Sequence, residues 1–167
     1  MENYFAGANI AQIAFVVQDV EVSKVKFAKL IGLEEVPPTC GIGTPEVAKT
    51  EYFGKPSPSI DCKIAYFNFG NIQIELMEPN EEPSAWRTWL NANGEGLHHL
   101  SFFVKNMEEQ IAGCEKKGMR LVQRGEFADA SGCYAYLASE DTVNFFIELL
   151  EVYDEEEQKA LLTQMKN

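Results

Sequence analysis

Gln12-Ile13-Ala14-Phe15-Val16-Val17 and His99-Leu100-Ser101-Phe102-Phe103-Val104 are the two stretches whose comparison decides the fold. Superposed, they set Phe15 on Phe102 and Val17 on Val104, and a few residues on they set Glu21 on Glu108. A second correspondence lies downstream, where Ile74-Glu75-Leu76-Met77-Glu78 and Ile147-Glu148-Leu149-Leu150-Glu151 agree at four positions of five. Gly32 and Gly118 also correspond, with a one-residue slip. The chain therefore reads as an internal repeat. Two short copies cannot each bury a good core, so they are expected to pair.

The elements around these anchors repeat in the same order. A strand over Ala11–Val17 leads to a helix capped by Asp19, with Val22, Val25, Phe27, Leu30 and Ile31 at helical spacing and Gly32 ending it. A short strand is expected at Leu33–Val36. Pro37–Ile60 is rich in Pro, Gly, Ser and Thr and reads as a long loop or insertion, which absorbs the extra length of the first copy. Strands at Cys62–Phe69 and Ile72–Met77 are joined by a Gly70-Asn71 turn. A helix at Pro83–Ala92, ended by Asn93-Gly94, links the copies. The second copy brings a strand at Leu97–Val104, a helix at Met107–Lys117 and strands at Met119–Arg124, Tyr134–Ala138 and Val143–Leu150. Glu140-Asp141 makes its last turn, and Asp154–Met165 reads as a surface helix. The expected organisation is α+β: a first βαβββ module over 8–79, a linking helix in 80–96, a second module over 97–151 and a helical tail over 152–167.

Composition bounds the function. The 167 residues carry 14 basic and 26 acidic side chains, a net charge of -12, with 46% hydrophobic residues. That balance argues against a nucleic-acid binder, which needs clustered Lys and Arg, and against an anionic membrane surface. No apolar run approaches the ~18 residues of a membrane span. Met1–Gly7 shows no basic-then-apolar signal pattern. Cys40, Cys62, Cys114 and Cys133 show no paired spacing and read as reduced thiols, mostly buried small hydrophobes, in a cytoplasmic protein.

Strand alternation sorts the side chains further. Ile13, Phe15 and Val17 share one face, and Leu100, Phe102 and Val104 repeat it; both sets are large and apolar, as a face under a helix should be. The opposite face carries Gln12, Ala14 and Val16 in one copy and His99, Ser101 and Phe103 in the other. In the closing strands Glu75 lies between Gln73 and Met77, and Glu148 between Phe146 and Leu150. An isolated Ile-Glu-Leu usually sends its Glu into water, and a lone strand histidine is usually structural. Here both copies place ligand-type residues at equivalent points, and Phe146 and Leu150 indicate that the face around Glu148 is covered. A covered carboxylate costs several kcal/mol unless it is paired or metal-bound. Gln12, Glu75, His99 and Glu148 are therefore the candidate metal ligands. Three oxygens and one imidazole nitrogen form a fairly hard site, suited to a divalent Zn, Ni, Co, Mn or Mg ion. His98 points to the opposite face of a regular strand and reads as structural.

The stretches QIAFVVQDVEVSKVKFAKLIGLEEV, IQIELMEP, GEGLHHLSFFVKNMEEQI and FFIELLE resemble the vicinal oxygen chelate superfamily, which includes glyoxalase I and methylmalonyl-CoA epimerases. The resemblance covers Ile10–Glu151, with Pro37–Ile60 poorly matched. It implies two βαβββ modules forming a cupped eight-stranded mixed sheet around a divalent metal, with Gln12, Glu75, His99 and Glu148 as ligands. It also implies a homodimer. Such a metal stabilises an enolate while a base takes the proton α to a carbonyl. Glu148, in an apolar setting, is the expected catalytic base. Two subfamilies remain open. GEGLHHLSF and the short layout resemble the epimerases, acting on an acyl-CoA such as methylmalonyl-CoA. Gln12 in the first ligand position resembles one class of glyoxalase I, the lactoylglutathione lyases, acting on a glutathione adduct. A non-catalytic small-molecule binder of the same fold is the third reading. An epimerase needs a second acid/base, for which Glu46 and Glu51 are candidates. Lys49, Lys55, Lys63 and Arg87 are the possible rim cations for CoA phosphates, and Trp86 and Trp89 read as packing.

Overall fold

A computed structural model of the chain describes residues 9–70, 72–138 and 143–164. The Met1–Gly7 segment, Asn71 of the first turn, the Glu140-Asp141 turn and the tail's last residue, Met165, lie outside these described residues.

The first copy begins with β1 (Gln12–Val16) and α1 (Val20–Ile31). The Asp19 carboxylate accepts from the Val22 N–H at 2.9 Å, and Gly32 ends the helix in the left-handed region at φ 75°. The buried side of α1 differs from the sequence expectation. Val20 and Ala28 are buried, with Phe27 and Ile31 packed beside them, whereas Val22, Val25 and Leu30 are 46%, 51% and 80% exposed. Lys24 replaces them on the inner side, because its ammonium reaches Glu21 at 2.8 Å and the Thr39 hydroxyl at 2.7 Å.

No strand forms at Leu33–Val36; the strand comes later, as β2 (Thr39–Gly41). The Pro- and Gly-rich insertion then holds α2 (Pro45–Ala48), β3 (Glu51–Tyr52) and β4 (Lys55–Pro56). Next come β5 (Cys62–Phe69), β6 (Ile72–Pro79) and the linking helix α3 (Ala85–Asn93), capped by Ser84. The second copy is β7 (Gly96–Phe103), α4 (Met107–Glu115), β8 (Arg120–Glu126), β9 (Gly132–Ala138) and β10 (Phe146–Val152). The tail helix α5 (Glu155–Gln164) follows.

These strands form one mixed sheet of ten in the order β2-β5-β6-β1-β7-β10-β9-β8-β3-β4. The expected eight become ten because β3 and β4, from the insertion of the first copy, extend the far edge. There β3 pairs antiparallel with β8, Glu51 opposite Arg124 and Tyr52 opposite Gln123. Each copy contributes the same ladder: β1 runs parallel to β6 as β7 does to β10, and β1 and β7 meet antiparallel at the centre.

The sheet curls. One core cluster joins Ile64 of β5 and Val122 of β8, from opposite halves of the sheet, with Ala85, Trp86 and Leu90 of α3. That is the inner, concave side. α1 and α4 cover the outer side over separate clusters, Ala65, Phe67 and Leu76 beneath one and Ala135, Leu137 and Leu149 beneath the other. Cys62, Cys114 and Cys133 are buried free thiols, while Cys40 is exposed. Among the described residues no helix is long and apolar enough to cross a membrane.

Candidate functional site

The four expected ligand residues converge. The β1–β6 ladder sets Gln12 opposite Gln73 and Ala14 opposite Glu75, and the β1–β7 ladder sets Ala14 opposite His99. The β7–β10 ladder sets Ser101 opposite Glu148. All four side chains therefore arise from the four central strands, on the concave side. Glu75, His99 and Glu148 are 5%, 0% and 4% exposed.

His99 Nε2 lies 3.1 Å from Glu148 Oε2 and 3.6 Å from Glu75 Oε2. The Ser101 hydroxyl donates to the same oxygen of Glu148. Gln12 Nε2 donates to Glu75 Oε1 at 2.6 Å and to Gln73 Oε1 at 2.7 Å, and Gln73 in turn donates to Asn68. Burial, and then the neighbouring Glu148, push the Glu75 carboxyl well above the ordinary carboxylate range. Two buried carboxylates around one imidazole call for a shared proton or a cation.

His99 Nε2 and Gln12 Oε1 are buried with no hydrogen-bond partner, and both belong to the expected set. An orphaned imidazole nitrogen beside two carboxylates is a poor arrangement unless something positive completes it. Among the described residues no ready-made group of three or more His, Cys, Asp or Glu holds a metal geometry. The fourth donor here is an amide, of which Nε2, and not the oxygen, meets Glu75. The chemistry of the set, two carboxylates, one imidazole and one amide oxygen, fits a divalent cation.

A cleft of about 350 Å³ opens on this set. Gln12, Glu75 and Glu148 line it, with an aromatic wall of Tyr66, Trp86, Phe103, Tyr134 and Tyr136. Tyr66 stands opposite Glu75 in the β5–β6 ladder. Burial and the two carboxylates push its hydroxyl far above the usual phenol range, so it stays protonated as a donor. The indole N–H of Trp86 is committed to the Tyr136 hydroxyl at 3.1 Å, and Trp89 packs edge-on against His98. Both tryptophans therefore pack, as expected.

The other candidates separate from the site. Glu46 is exposed in the first turn of α2, where backbone N–H donation holds its carboxyl below the usual range. Glu51 is half-buried in β3, and neither glutamate lines the cleft. Lys63 pairs with Glu78 at 2.8 Å, and Arg87 donates to the Asn80 carbonyl at 2.7 Å and meets Glu81 at 3.1 Å. Lys55 is exposed in β4. Lys49 lies 3.9 Å from Glu126, a cleft residue.

One residue departs from the face that strand alternation assigns it. His98 does not point to the outer face. The β1–β7 register breaks after Ala14, with His99 opposite Ala14 and Leu97 opposite Phe15, so His98 is the extra residue of a β-bulge. The bulge turns His98 to the concave side, where its Nδ1 lies 2.9 Å from His99 Nδ1 and its Nε2 3.3 Å from the Ala85 carbonyl oxygen. Burial, and then His99, hold the His98 ring well below the ordinary imidazole range, hence neutral. The one available signal was the adjacent histidine pair itself; alternation alone assigns it wrongly. Gln73 and Ser101, by contrast, share a strand face with Glu75 and His99, so alternation does place them beside the set.

The fold has counterparts among known proteins. Residues 11–137 match the family model described as Glyoxalase/Bleomycin resistance protein/Dioxygenase superfamily. Among curated proteins, the uncharacterised protein YqjC of Bacillus subtilis (strain 168) is 29% identical over 89 residues. That match covers 53% of this chain and 64% of the relative, so the chain spans less than two thirds of that relative's length. Among solved structures, a hypothetical protein of Bacillus halodurans C-125 has a TM-score of 0.60 at 21% identity, covering 87% of this chain and 95% of that one. A Streptomyces coelicolor methylmalonyl-CoA epimerase variant in complex with 2-nitronate-propionyl-CoA has a TM-score of 0.60 at 22% identity, covering 87% and 98%. The methylmalonyl-CoA epimerase of Mycobacterium tuberculosis has 0.59 at 18% identity, covering 89% and 91%. At these identities the solved structures speak for the fold. The family model spans the first copy, the second as far as β9, and all but the last of the four converging residues, and on it the chain belongs to the glyoxalase/bleomycin resistance protein/dioxygenase superfamily.

Proposed function

We propose that the chain is a metal-dependent enzyme that abstracts a proton α to a carbonyl, acting as an epimerase on an acyl-CoA such as methylmalonyl-CoA. The observation that carries this reading is the buried trio of Glu75, His99 and Glu148: His99 Nε2 without a hydrogen-bond partner, 3.1 Å from Glu148 and 3.6 Å from Glu75. Gln12, Glu75, His99 and Glu148 would hold the divalent ion, Zn, Ni, Co, Mn or Mg. When bound, such an ion supplies Lewis-acid stabilisation of an enolate oxygen.

The chain's own residues do the rest. Glu148 lines the cleft with Leu150 beside it, and the Ser101 hydroxyl fixes one of its oxygens. A carboxylate in that setting is the base for the α-proton; with Glu46 and Glu51 outside the cleft, the return of a proton to the opposite face falls to the remaining cleft glutamates, Glu126 or Glu157. The Tyr66 hydroxyl, kept protonated, donates to a substrate oxygen from the cleft wall. The aromatic side chains exclude water from the reacting carbon. Acyl-CoA is supported by the solved epimerases of the same fold, one of them in complex with 2-nitronate-propionyl-CoA. Lys49, 67% exposed beside Glu126, is the rim cation that such a substrate's phosphates would meet. A specific observation favours a second reading. Gln12 carries the amide of the set, and its buried oxygen lacks a partner; this resembles the lactoylglutathione lyase ligand set, whose substrate is a glutathione hemithioacetal.

One experiment separates them. Protein loaded in turn with Zn, Ni, Co, Mn and Mg is given methylmalonyl-CoA or the methylglyoxal–glutathione hemithioacetal in heavy water. Metal-dependent exchange of the α-proton in the CoA ester is expected, with Glu148→Gln slower by about 10² to 10⁴, the usual worth of a positioned base. Exchange with the hemithioacetal alone selects the lyase. Metal binding without exchange in either substrate leaves a small-molecule binder and sinks the enzyme reading.

A further inference from the structure

We propose that His98 is a positioning residue: it holds His99 in the tautomer with Nδ1 protonated, so that Nε2 faces Glu75 and Glu148 as an open lone pair. Its consequence for metal affinity rests on the function proposed above; its geometry does not.

In a regular strand two adjacent histidines diverge. Here the extra residue in β7 turns both rings inward, and both are 0% exposed. Their Nδ1 atoms lie 2.9 Å apart, a hydrogen-bond distance, so one proton sits between them. Ownership of that proton follows from the far side of His98. Its Nε2 is 3.3 Å from the Ala85 carbonyl oxygen, which can only accept, so the hydrogen is on Nε2. A neutral ring protonated at Nε2 offers a lone pair at Nδ1. The bridging proton therefore belongs to His99 Nδ1. In a neutral His99 that leaves Nε2 bare, and Nε2 is the buried atom without a hydrogen-bond partner between the two carboxylates.

His98 is itself held. Ala85 opens α3, and its N–H donates to Gln123 Oε1 at 2.9 Å, which fixes the carbonyl that receives His98. The rings of Trp89, Tyr136 and Phe146 stand 5.9, 5.4 and 4.9 Å from the His98 ring and wall it in. The relay thus runs from the linking helix through the bulge to the site. A ligand imidazole is oriented, and its tautomer chosen, by whatever its other nitrogen bonds. Here that partner is a second imidazole, itself anchored on the segment that joins the two copies.

Two variants separate hydrogen bonding from packing. His98→Phe keeps an aromatic ring and removes the acceptor. His98→Asn gives up the ring but sets an acceptor oxygen where Nδ1 stood. Calorimetric titration with Zn or Co should show His98→Phe weakened by about 10- to 100-fold, the usual cost of losing such a partner. His98→Asn should stay within a few-fold of the wild type. Wild-type affinity in His98→Phe, or equal losses in both variants, would overturn the proposal. A second readout needs no metal. The chain has two histidines, so the imidazole nitrogen NMR spectrum holds two rings. The bridging proton should couple directly to His99 Nδ1 and, through the hydrogen bond, to His98 Nδ1; the His98→Asn spectrum identifies the His99 ring. Direct coupling to His98 Nδ1 instead, or no bridging coupling, overturns the assignment. Correct coupling in a protein that takes up no divalent ion would end the metal reading and leave the tautomer assignment standing.

Discussion

Glu75 is the residue at which folding and function pull hardest against each other. It is 5% exposed, and burial and Glu148 raise its proton affinity in the folded state above that of the unfolded chain. In metal-free protein the proton it holds therefore contributes stability that is fully present below the unfolded carboxylate pKa. That contribution is lost as pH rises through the raised folded value. Wild-type protein in chelator should lose thermal stability as pH climbs from acid toward neutral, and Glu75→Gln should flatten that loss. A matching pH slope in the two proteins would remove Glu75 as its source. A divalent ion competes with the same proton, so the stabilisation it gives should grow with pH. His99→Ala removes the one nitrogen donor of the set and should strip most bound metal, measured as ions per chain after dialysis. Retention of the wild-type content would dismantle the proposed ligand set.

The elements depend on local stops and on close backbone approach. α1 begins at Asp19, whose carboxylate caps the Val22 N–H. Asp19→Ala should cost about 1 kcal/mol in urea unfolding, the usual worth of such a cap. Gly132, at the start of β9, is constrained by space. A Cβ there would stand 2.2 Å from the Glu151 carbonyl oxygen of β10 and 2.5 Å from the Phe127 ring. Gly132→Ala must push the two strands apart and should cost about 1 to 3 kcal/mol or more, the scale of overpacking. Unchanged stability would mean the β9–β10 ladder yields more easily than its register implies. The bulge in β7 acts at the same scale, since one added residue re-aims His98 without disturbing the pairing of Leu100 with Ile13.

Across the whole molecule the site is built within one chain. β1 and β6 bring Gln12 and Glu75, β7 and β10 bring His99 and Glu148, and the central β1–β7 ladder joins them. The β3–β4 hairpin adds a second tie, since it comes from the first copy but closes on β8 of the second. A homodimer, implied by resemblance, would leave each site whole. Mixing an inactive Gln12/Glu75 double variant with an inactive His99/Glu148 double variant, after dissociation and reassociation, should therefore restore neither metal binding nor exchange. Recovery toward a quarter or half of wild-type level would mean that chains share sites and would contradict the intrachain ladder.

The sequence by itself determined the repeat, the order of its main elements and the strand face that carries each ligand-type residue. Those follow from short-range physics: alternation fixes sides, and Asp19 and Gly32 mark ends that any tertiary context must respect. That Gln12, Glu75, His99 and Glu148 meet on one side of the sheet was legible because both copies place them equivalently. Tertiary structure alone decided three things. It turned the Pro- and Gly-rich insertion into edge strands, which two-residue ladders cannot announce by periodicity. It chose the inner side of α1, because Lys24 found Glu21 and Thr39 within reach and so took a place that apolar spacing assigns to Val25. And it set His98 beside His99, because a bulge is a property of two paired strands, and neither strand encodes the register of the other.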